Sequence, residues 1–148
     1  WGKLPFDRSS TDLTAHFIRA IDAATKSGGA GQGSGLDEAL EKRLMRCREK
    51  GLRFLRRQQR NDGSWLPLWF GNQDNPDDEN PIYGTARVLM ALSRSVELAG
   101  DASRAVDYLL THQNRDGGWG GGNSVSNYFD PRTNGSKISK DKEDSTMS

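Results

Sequence analysis

The chain has 148 residues, and a hydrophobic fraction of 33% with 8% aromatics is enough for a modest core and argues against disorder throughout. Its 21 Lys and Arg nearly balance 20 Asp and Glu, so the net charge of +1 gives no overall field that would draw the chain to nucleic acid. The single cysteine, Cys47, excludes an internal disulfide and a multi-cysteine zinc site, and no apolar run approaches the about 20 residues that cross a bilayer.

Four segments carry hydrophobic residues at helical spacing and predict four helices. Ser10 or Asp12 can cap the first helix, and Gly51 is the predicted kink in the second. No segment alternates as a strand does, so the sequence predicts an all-α fold. The predicted helices span residues 12–26, 36–59, 83–98 and 103–112. Because the chain begins with Trp1 and not with Met, we expect it to be part of a longer protein, here called the parent.

The chain contains an internal repeat. QQRNDGSW at residues 58–65, the first turn, returns as HQNRDGGW at residues 112–119, the second turn. TAHFIRAI at 14–21 likewise matches TARVLMAL at 85–92, so each unit reads as helix, connection, helix and turn. Repeated helix pairs of this kind stack in solenoids or in closed toroids. An offset of 54 residues superposes Gln59 on Gln113, Asp62 on Asp116, Gly63 on Gly117 and Trp65 on Trp119.

The residue types of the two turns suit a structural role. A Gln amide at a helix end can bond unpaired carbonyls there and unpaired N–H groups of the next helix. Asp-Gly favours a chain reversal because glycine accepts a positive φ. The Trp ring can lie flat against the Gln amide while its indole N–H donates to a backbone carbonyl. We therefore expect each turn to join helix ends and not to bind a ligand.

Taken together, these motifs carry a family resemblance. QRNDGSW and QNRDGGWG resemble the QW repeats of squalene-hopene cyclases and related triterpene cyclases. Other parts of the chain resemble further segments of these enzymes in the same order. They are LPFDRSSTDLTAH, then GSWLPLWFGN with YGTARVLMAL, and finally DSTMS. The resemblance covers most of the chain outside residues 26–50 and 120–143. It implies a partial α/α toroid at residues 1–120 and a flexible tail at 121–148 that leads to the next inner helix.

The resemblance also implies a reaction. The parent would fold squalene or a similar polyprene in a cavity, protonate a terminal alkene and cyclise the chain to a polycyclic triterpene, without a metal or organic cofactor. Such chemistry needs a strong carboxylic acid and a dry aromatic wall that stabilises carbocations. The family further implies peripheral attachment of the parent to the cytoplasmic side of a membrane and contact of this arc with the rest of the toroid. The fragment itself is expected to be soluble.

Four residues match family positions near the active site. By resemblance, His16 bonds a carboxylate of the catalytic acid motif, and Asp12 shares its helix face at a spacing of i, i+4. Tyr83 matches a tyrosine that orders water for reprotonation, and Trp69 matches a tryptophan of the cavity wall. The acid motif itself, Asp-x-Asp-Asp, does not occur in the chain, because DNPDDE and DKEDST lack its pattern. We therefore expect the fragment alone to be inactive.

Two other interpretations follow from the residues. The basic run at 41–60 could neutralise phosphates, but few aromatics interleave with it. A solvated outer helix is favoured over nucleic-acid binding, with attraction to an anionic membrane surface as the next alternative. A non-catalytic α/α-repeat scaffold that binds another protein remains the alternative to a cyclase fragment.

Overall fold

Four α-helices and one short 3₁₀ helix form the computed structural model, which describes residues 8–26, 35–73, 75, 77–93 and 95–120. No strand occurs within these ranges, which confirms the all-α class. The predicted tail at 121–148 lies outside the described residues. The helices are α1 (Thr11–Lys26), α2 (Glu38–Gln58), α3 (Pro81–Leu92) and α4 (Ala99–Thr111), with the 3₁₀ helix at Val96–Leu98.

Polar side chains define where the helices begin. The Ser10 hydroxyl accepts the Leu13 N–H at 3.2 Å, so Ser10 rather than Asp12 caps α1. Asp37 caps α2 in the same way, and the Asn80 side chain caps α3, whose first residue is a proline. Each cap satisfies an N–H group that has no partner within its helix.

The third helix is shorter than the sequence predicts. It ends at Leu92 instead of 98, and α4 begins at Ala99 instead of 103. The chain turns between them, where the Ser95 N–H donates to the Leu92 carbonyl at 2.8 Å. Val96 matches the helical period of α3 but is 88% exposed, so its place in the apolar pattern does not reflect burial.

The core lies between two helix pairs. α2 packs on α1, α4 packs on α3, and the pairs meet through α1 and α3. α2 is continuous through Gly51, where a Cβ atom would lie 3.2 Å from the Ile18 side chain. Gly51 therefore allows close approach of α1 and does not interrupt α2. The core consists of Ala15, Ile18, Leu52, Leu55, Trp65, Val88, Ala91, Leu92, Leu98 and Ala105.

Candidate functional site

The start of α1 carries one of the predicted site residues in a buried position. Asp12 is only 2% exposed, and its carboxylate accepts a hydrogen bond from the Ser10 hydroxyl. The neighbouring Thr11 hydroxyl donates to the Leu66 carbonyl at 2.5 Å. The Thr11 bond fixes the first turn of α1 against the segment that follows Trp65.

His16 lies one turn further along α1 and is exposed. Its spacing from Asp12 places both residues toward one side of the helix, but the Asp12 carboxylate is directed to Ser10. Within the described part of the chain, the imidazole has no hydrogen-bond or ion-pair partner. The structure thus brings Asp12 and His16 onto one helix without pairing them.

Tyr83 lies in the first turn of α3, in an aromatic cluster. Its ring centroid is 4.9 Å from that of Phe70, and the guanidinium carbon of Arg87 lies 5.0 Å from the Tyr83 ring centroid. Trp69, the predicted wall residue, is half-exposed, as is Phe70. The sequence motifs do not single out Phe70 or Arg87. The available signals were the adjacency of Phe70 to Trp69 and the i, i+4 spacing of Arg87 from Tyr83.

The connection before Tyr83 is held by its own backbone and by one ion pair. The Asn72 N–H donates to the Asp78 carbonyl at 3.0 Å, and Asp78 adopts a φ of 58°. Glu79 pairs with Arg60 of the first turn at 2.7 Å. The start of α3 is thereby connected to the end of α2.

The first turn reverses the chain through three side chains. The Gln59 amide donates to the Gly63 carbonyl at 2.9 Å, and the Asp62 carboxylate accepts the N–H of the second residue after it at 2.9 Å. The Trp65 indole N–H donates to the Leu55 carbonyl at 2.8 Å. Gly63 has a φ of 89°, a left-handed conformation that favours glycine.

The second turn repeats this geometry. The Gln113 amide donates to the Gly117 carbonyl at 2.7 Å, and the Trp119 indole N–H donates to the Leu109 carbonyl at 2.6 Å. Asp116 accepts the N–H of the second residue after it at 2.9 Å, and Gly117 has a φ of 88°. The two copies of the motif therefore form the same local structure.

The surroundings of the two turns differ. Trp65 is fully buried, and its backbone N–H donates to the Thr85 hydroxyl of α3 at 2.9 Å. Trp119, in contrast, is 46% exposed. Gln59 also donates to the Asp101 carbonyl of α4 at 2.8 Å. The first turn thus joins α2 to both helices of the following pair. Within the described residues, the second turn has no following pair to join.

The carboxylate of the first turn is electrostatically stabilised. Burial acts to raise the pKa of Asp62, but hydrogen bonds from the hydroxyl and N–H of Ser64, assisted by the charge of Arg60, outweigh it. The pKa of Asp62 therefore lies below its ordinary value. The carboxylate is an acceptor that holds the turn, which is a structural function.

Neither a metal centre nor a membrane span is found in the part of the chain that the structure describes. No group of three or more His, Cys, Asp or Glu in these ranges is arranged to hold a metal ion. Among the described helices, none combines the length and the apolar character that crossing a bilayer requires.

The paired helices and their duplicated turns define a partial α/α-toroid arc of the kind that triterpene cyclases contain. The model of the squalene-hopene cyclase C-terminal domain family matches residues 6–146. The chain therefore belongs to the class II triterpene cyclase family.

Several characterised relatives are similar over part or nearly all of the chain. The terpene cyclase-glycosyl transferase fusion protein fsoA of Humicola fuscoatra is 34% identical over 130 residues, which is 80% of this chain and 9% of that protein. Dammaradiene synthase of Dryopteris crassirhizoma is 30% identical over 146 residues, 90% of this chain and 19% of the synthase. The squalene–hopene cyclase of Bradyrhizobium diazoefficiens is 39% identical over 72 residues, 47% of this chain and 10% of the cyclase.

The chain thus spans between 9% and 19% of the length of these relatives. No solved structure matches it.

Proposed function

We propose that the chain is an internal part of a squalene-hopene-type cyclase, and that the parent cyclises squalene or a related polyprene to a polycyclic triterpene. The family match over residues 6–146 supports the terpene cyclase class. The polyprene itself is inferred from relatives such as the squalene–hopene cyclase of Bradyrhizobium diazoefficiens. In this proposal, residues 1–120 form the arc and 121–148 lead to the next inner helix.

The observation that carries the proposal is the placement of His16. The first turn of the helix that bears it is fixed by the buried, hydrogen-bonded Asp12. The exposed imidazole is therefore available to a carboxyl group from another part of the parent. A protonated histidine beside the proton donor would favour loss of the acidic proton to the terminal alkene. The resulting cation would then be passed along the folded polyprene.

In this proposal, the aromatic residues Trp69, Phe70 and Tyr83 have different functions. The half-exposed rings of Trp69 and Phe70 could stabilise a carbocation by cation–π contact, worth about 2 kcal/mol in a dry site. The Tyr83 ring already has the Arg87 guanidinium 5.0 Å from its centroid. A second cation at that ring would be repelled by the first. We therefore assign Tyr83 to the ordering of water through its hydroxyl group.

The proposal requires the parent to supply the proton donor. The Asp-x-Asp-Asp motif is absent from the 148 residues, and Asp12 is engaged by Ser10 at the start of α1. The chain alone is therefore expected not to turn over polyprene. Because squalene is insoluble in water, we further propose that the parent works at the cytoplasmic surface of a membrane.

The proposed site is tested by a matched pair of histidine variants in the parent. His16→Ala should lower the rate of cyclisation by about 100-fold or more, the typical contribution of a positioned acid–base group. His112→Ala is the control, because the His112 ring stacks on Tyr108 at the end of α4 and its Nδ1 lies 2.8 Å from the Tyr108 carbonyl.

Both variants should retain the helical circular dichroism of the parent. Near-normal turnover by the His16 variant would refute the assigned site. A parent that lacks any cyclase activity would favour the non-catalytic repeat scaffold.

A further inference from the structure

The internal repeat places Arg87 of α3 at the position that His16 occupies in α1. In the match of residues 14–21 with residues 85–92, TAH aligns with TAR, so His16 falls on Arg87. Two residues before the matched segments, Asp12 falls on Tyr83. Both residues of the second unit already belong to the aromatic cluster described above. The repeat therefore relates that cluster to the Asp12 and His16 pair of the first unit.

The two equivalent basic residues lie on the side of each helix that stays out of the core. His16 is exposed and Arg87 is half-buried, and three residues further along each helix Arg19 and Met90 are also exposed. α1 packs directly on α3, and Arg19 and Met90 line the same open groove. Both helices thus present these positions to one side of the arc. His16 and Arg87 lie there on neighbouring helices.

The guanidinium of Arg87 has few partners in the described part of the chain. Its central carbon lies 5.0 Å from the Tyr83 ring centroid, and within the described residues it forms no ion pair. A guanidinium has five N–H donors in a planar fork that suits a carboxylate, and a ring face does not fill them. Arg87 can therefore accept an anionic partner without losing an existing ion pair.

The described acids around α3 do not neutralise Arg87. α3 itself contains no acid, and the exposed Asp77, Asp78 and Asp107 form no ion pair with this arginine. The other described acids on the elements next to α3 are engaged by other side chains. They are Asp12 with Ser10, Asp22 and Glu97 with Arg48, Glu79 with Arg60, and Asp101 with Arg56.

An unpaired guanidinium at this place would oppose the proposed reaction. Cyclisation generates a carbocation, and a second positive charge nearby in a dry site raises its energy. A carboxylate beside Arg87 removes that repulsion. In the proposed function, the parent brings a carboxyl group to His16 on α1. Packed helices lie about 8–10 Å apart, so a motif with several carboxylates can reach both α1 and α3.

We propose that Arg87 is a positioning residue of the proton-donor site, and that its guanidinium binds a carboxylate of the parent's Asp-x-Asp-Asp motif next to the one that His16 binds. The proposal rests on the proposed function, because that motif lies in the parent. Protonation of the terminal alkene breaks the O–H bond of the donor, and the alkene π electrons form the new C–H bond and leave a carbocation. The negative charge stays on the motif, where Arg87 stabilises it. Unlike an imidazole, a guanidinium keeps its charge as the pH rises through neutrality.

The test is the pH dependence of cyclisation by the parent with squalene in detergent. A cation beside the motif lowers the pKa of the donor carboxyl, and the donor must be protonated to act. Arg87→Gln should therefore raise the pH at which the rate has fallen to half by about one unit or more. It should also lower the rate on the acidic plateau about tenfold, because the donor becomes a weaker acid.

Two further variants in the parent serve as controls. Arg87→Lys keeps a positive charge and should leave the upper pH limit near that of the parent. Arg115→Gln removes one exposed cation of the second turn and changes the net charge as Arg87→Gln does, so it should leave the profile unchanged. If Arg87→Gln lowers the helical circular dichroism, Arg87→Met, which keeps an apolar side chain over Tyr83, provides the same test.

Three results with an active parent would overturn this proposal alone. A lower rate at every pH with an unshifted profile would give Arg87 a purely structural role. A higher KM for squalene without the shift would place the guanidinium on the substrate. Equal shifts in Arg87→Gln and Arg115→Gln would show a net-charge effect. A parent without cyclase activity would instead overturn the proposed function together with this proposal.

Discussion

At the scale of single residues, Gly63 and Gly117 have the same backbone conformation in different surroundings. Their φ angles are 89° and 88°, but a Cβ atom at Gly63 would lie 2.5 Å from the Arg104 carbonyl oxygen, and one at Gly117 would meet nothing within 4 Å. Gly117→Ala should therefore cost only the left-handed strain, about 1–2 kcal/mol of unfolding free energy. Gly63→Ala should cost about 1–3 kcal/mol more, because the turn must move away from α4.

Urea unfolding of the two alanine variants checks this difference. Equal losses of stability would mean that the contact between the first turn and α4 does not contribute to the fold.

Asp62 makes the first turn sensitive to acid. Because its pKa is lowered in the folded chain, the carboxylate stabilises the fold above its ordinary pKa of about 3.9. This stabilisation is lost as the pH falls through the folded-state value. Asp62→Asn keeps an oxygen that can accept the Ser64 N–H but cannot titrate. The variant should therefore lose less stability than the original chain when the pH is lowered from 5 to 3, as measured by urea unfolding.

At the scale of helices, a buried ion pair joins α1 to α2. The Arg48 guanidinium donates to Asp22 at 2.7 Å and to the Ser95 hydroxyl at 3.0 Å. Asp22→Ala should lower the free energy of unfolding by about 3 kcal/mol, because it leaves a buried charge without its main partner. Glu38→Ala is the control, since it breaks the exposed pair with Lys42 and should cost about 1 kcal/mol or less.

Chemical denaturation of the two variants gives the comparison. Similar costs for both would show that the buried pair does not hold α1 and α2 together. Asp22→Ala combined with Arg48→Met should recover part of the lost stability, because the uncompensated charge is then removed.

The contacts of Arg48 illustrate which features of the helices the sequence predicts and which it does not. Apolar periodicity depends on neighbouring residues, and for the described residues it correctly predicted four α-helices and no strands. The early end of α3 was not predictable in this way, because the turn at Ser95 is held by Arg48, 47 positions earlier in the chain. Likewise, the repeated motif indicated both turns, but not the hydrogen bond from the Trp65 backbone N–H to Thr85 of a later helix. Contacts between distant residues are thus the part that local patterns lack.

In the candidate site, too, local motifs were predictable and contacts between distant residues were not. His16, Trp69 and Tyr83 were identified through short motifs that resemble a family. The ring contact between Phe70 and Tyr83 was not, because it joins residues on either side of a long connection. Whether these residues act in catalysis stays a prediction, which the histidine variants test for His16.

At the scale of the whole molecule, both ends of the arc expose apolar side chains. Phe17 on α1 is 70% exposed, and Leu110 on α4 is 60% exposed beside the second turn. Helix-pair repeats bury such residues against neighbouring repeats. The chain belongs to the cyclase family and spans 9% to 19% of the length of these relatives. Both facts agree with an arc whose apolar ends are covered by other repeats in the parent.

The central claim is that this arc contributes to polyprene cyclisation only within the parent. The most direct test is to incubate the parent and, separately, the 148-residue chain with squalene in detergent, and to analyse the products by mass spectrometry. A polycyclic triterpene from the parent and none from the chain is the predicted result. Absence of any cyclised product from the parent, or cyclisation by the chain alone, would contradict the account.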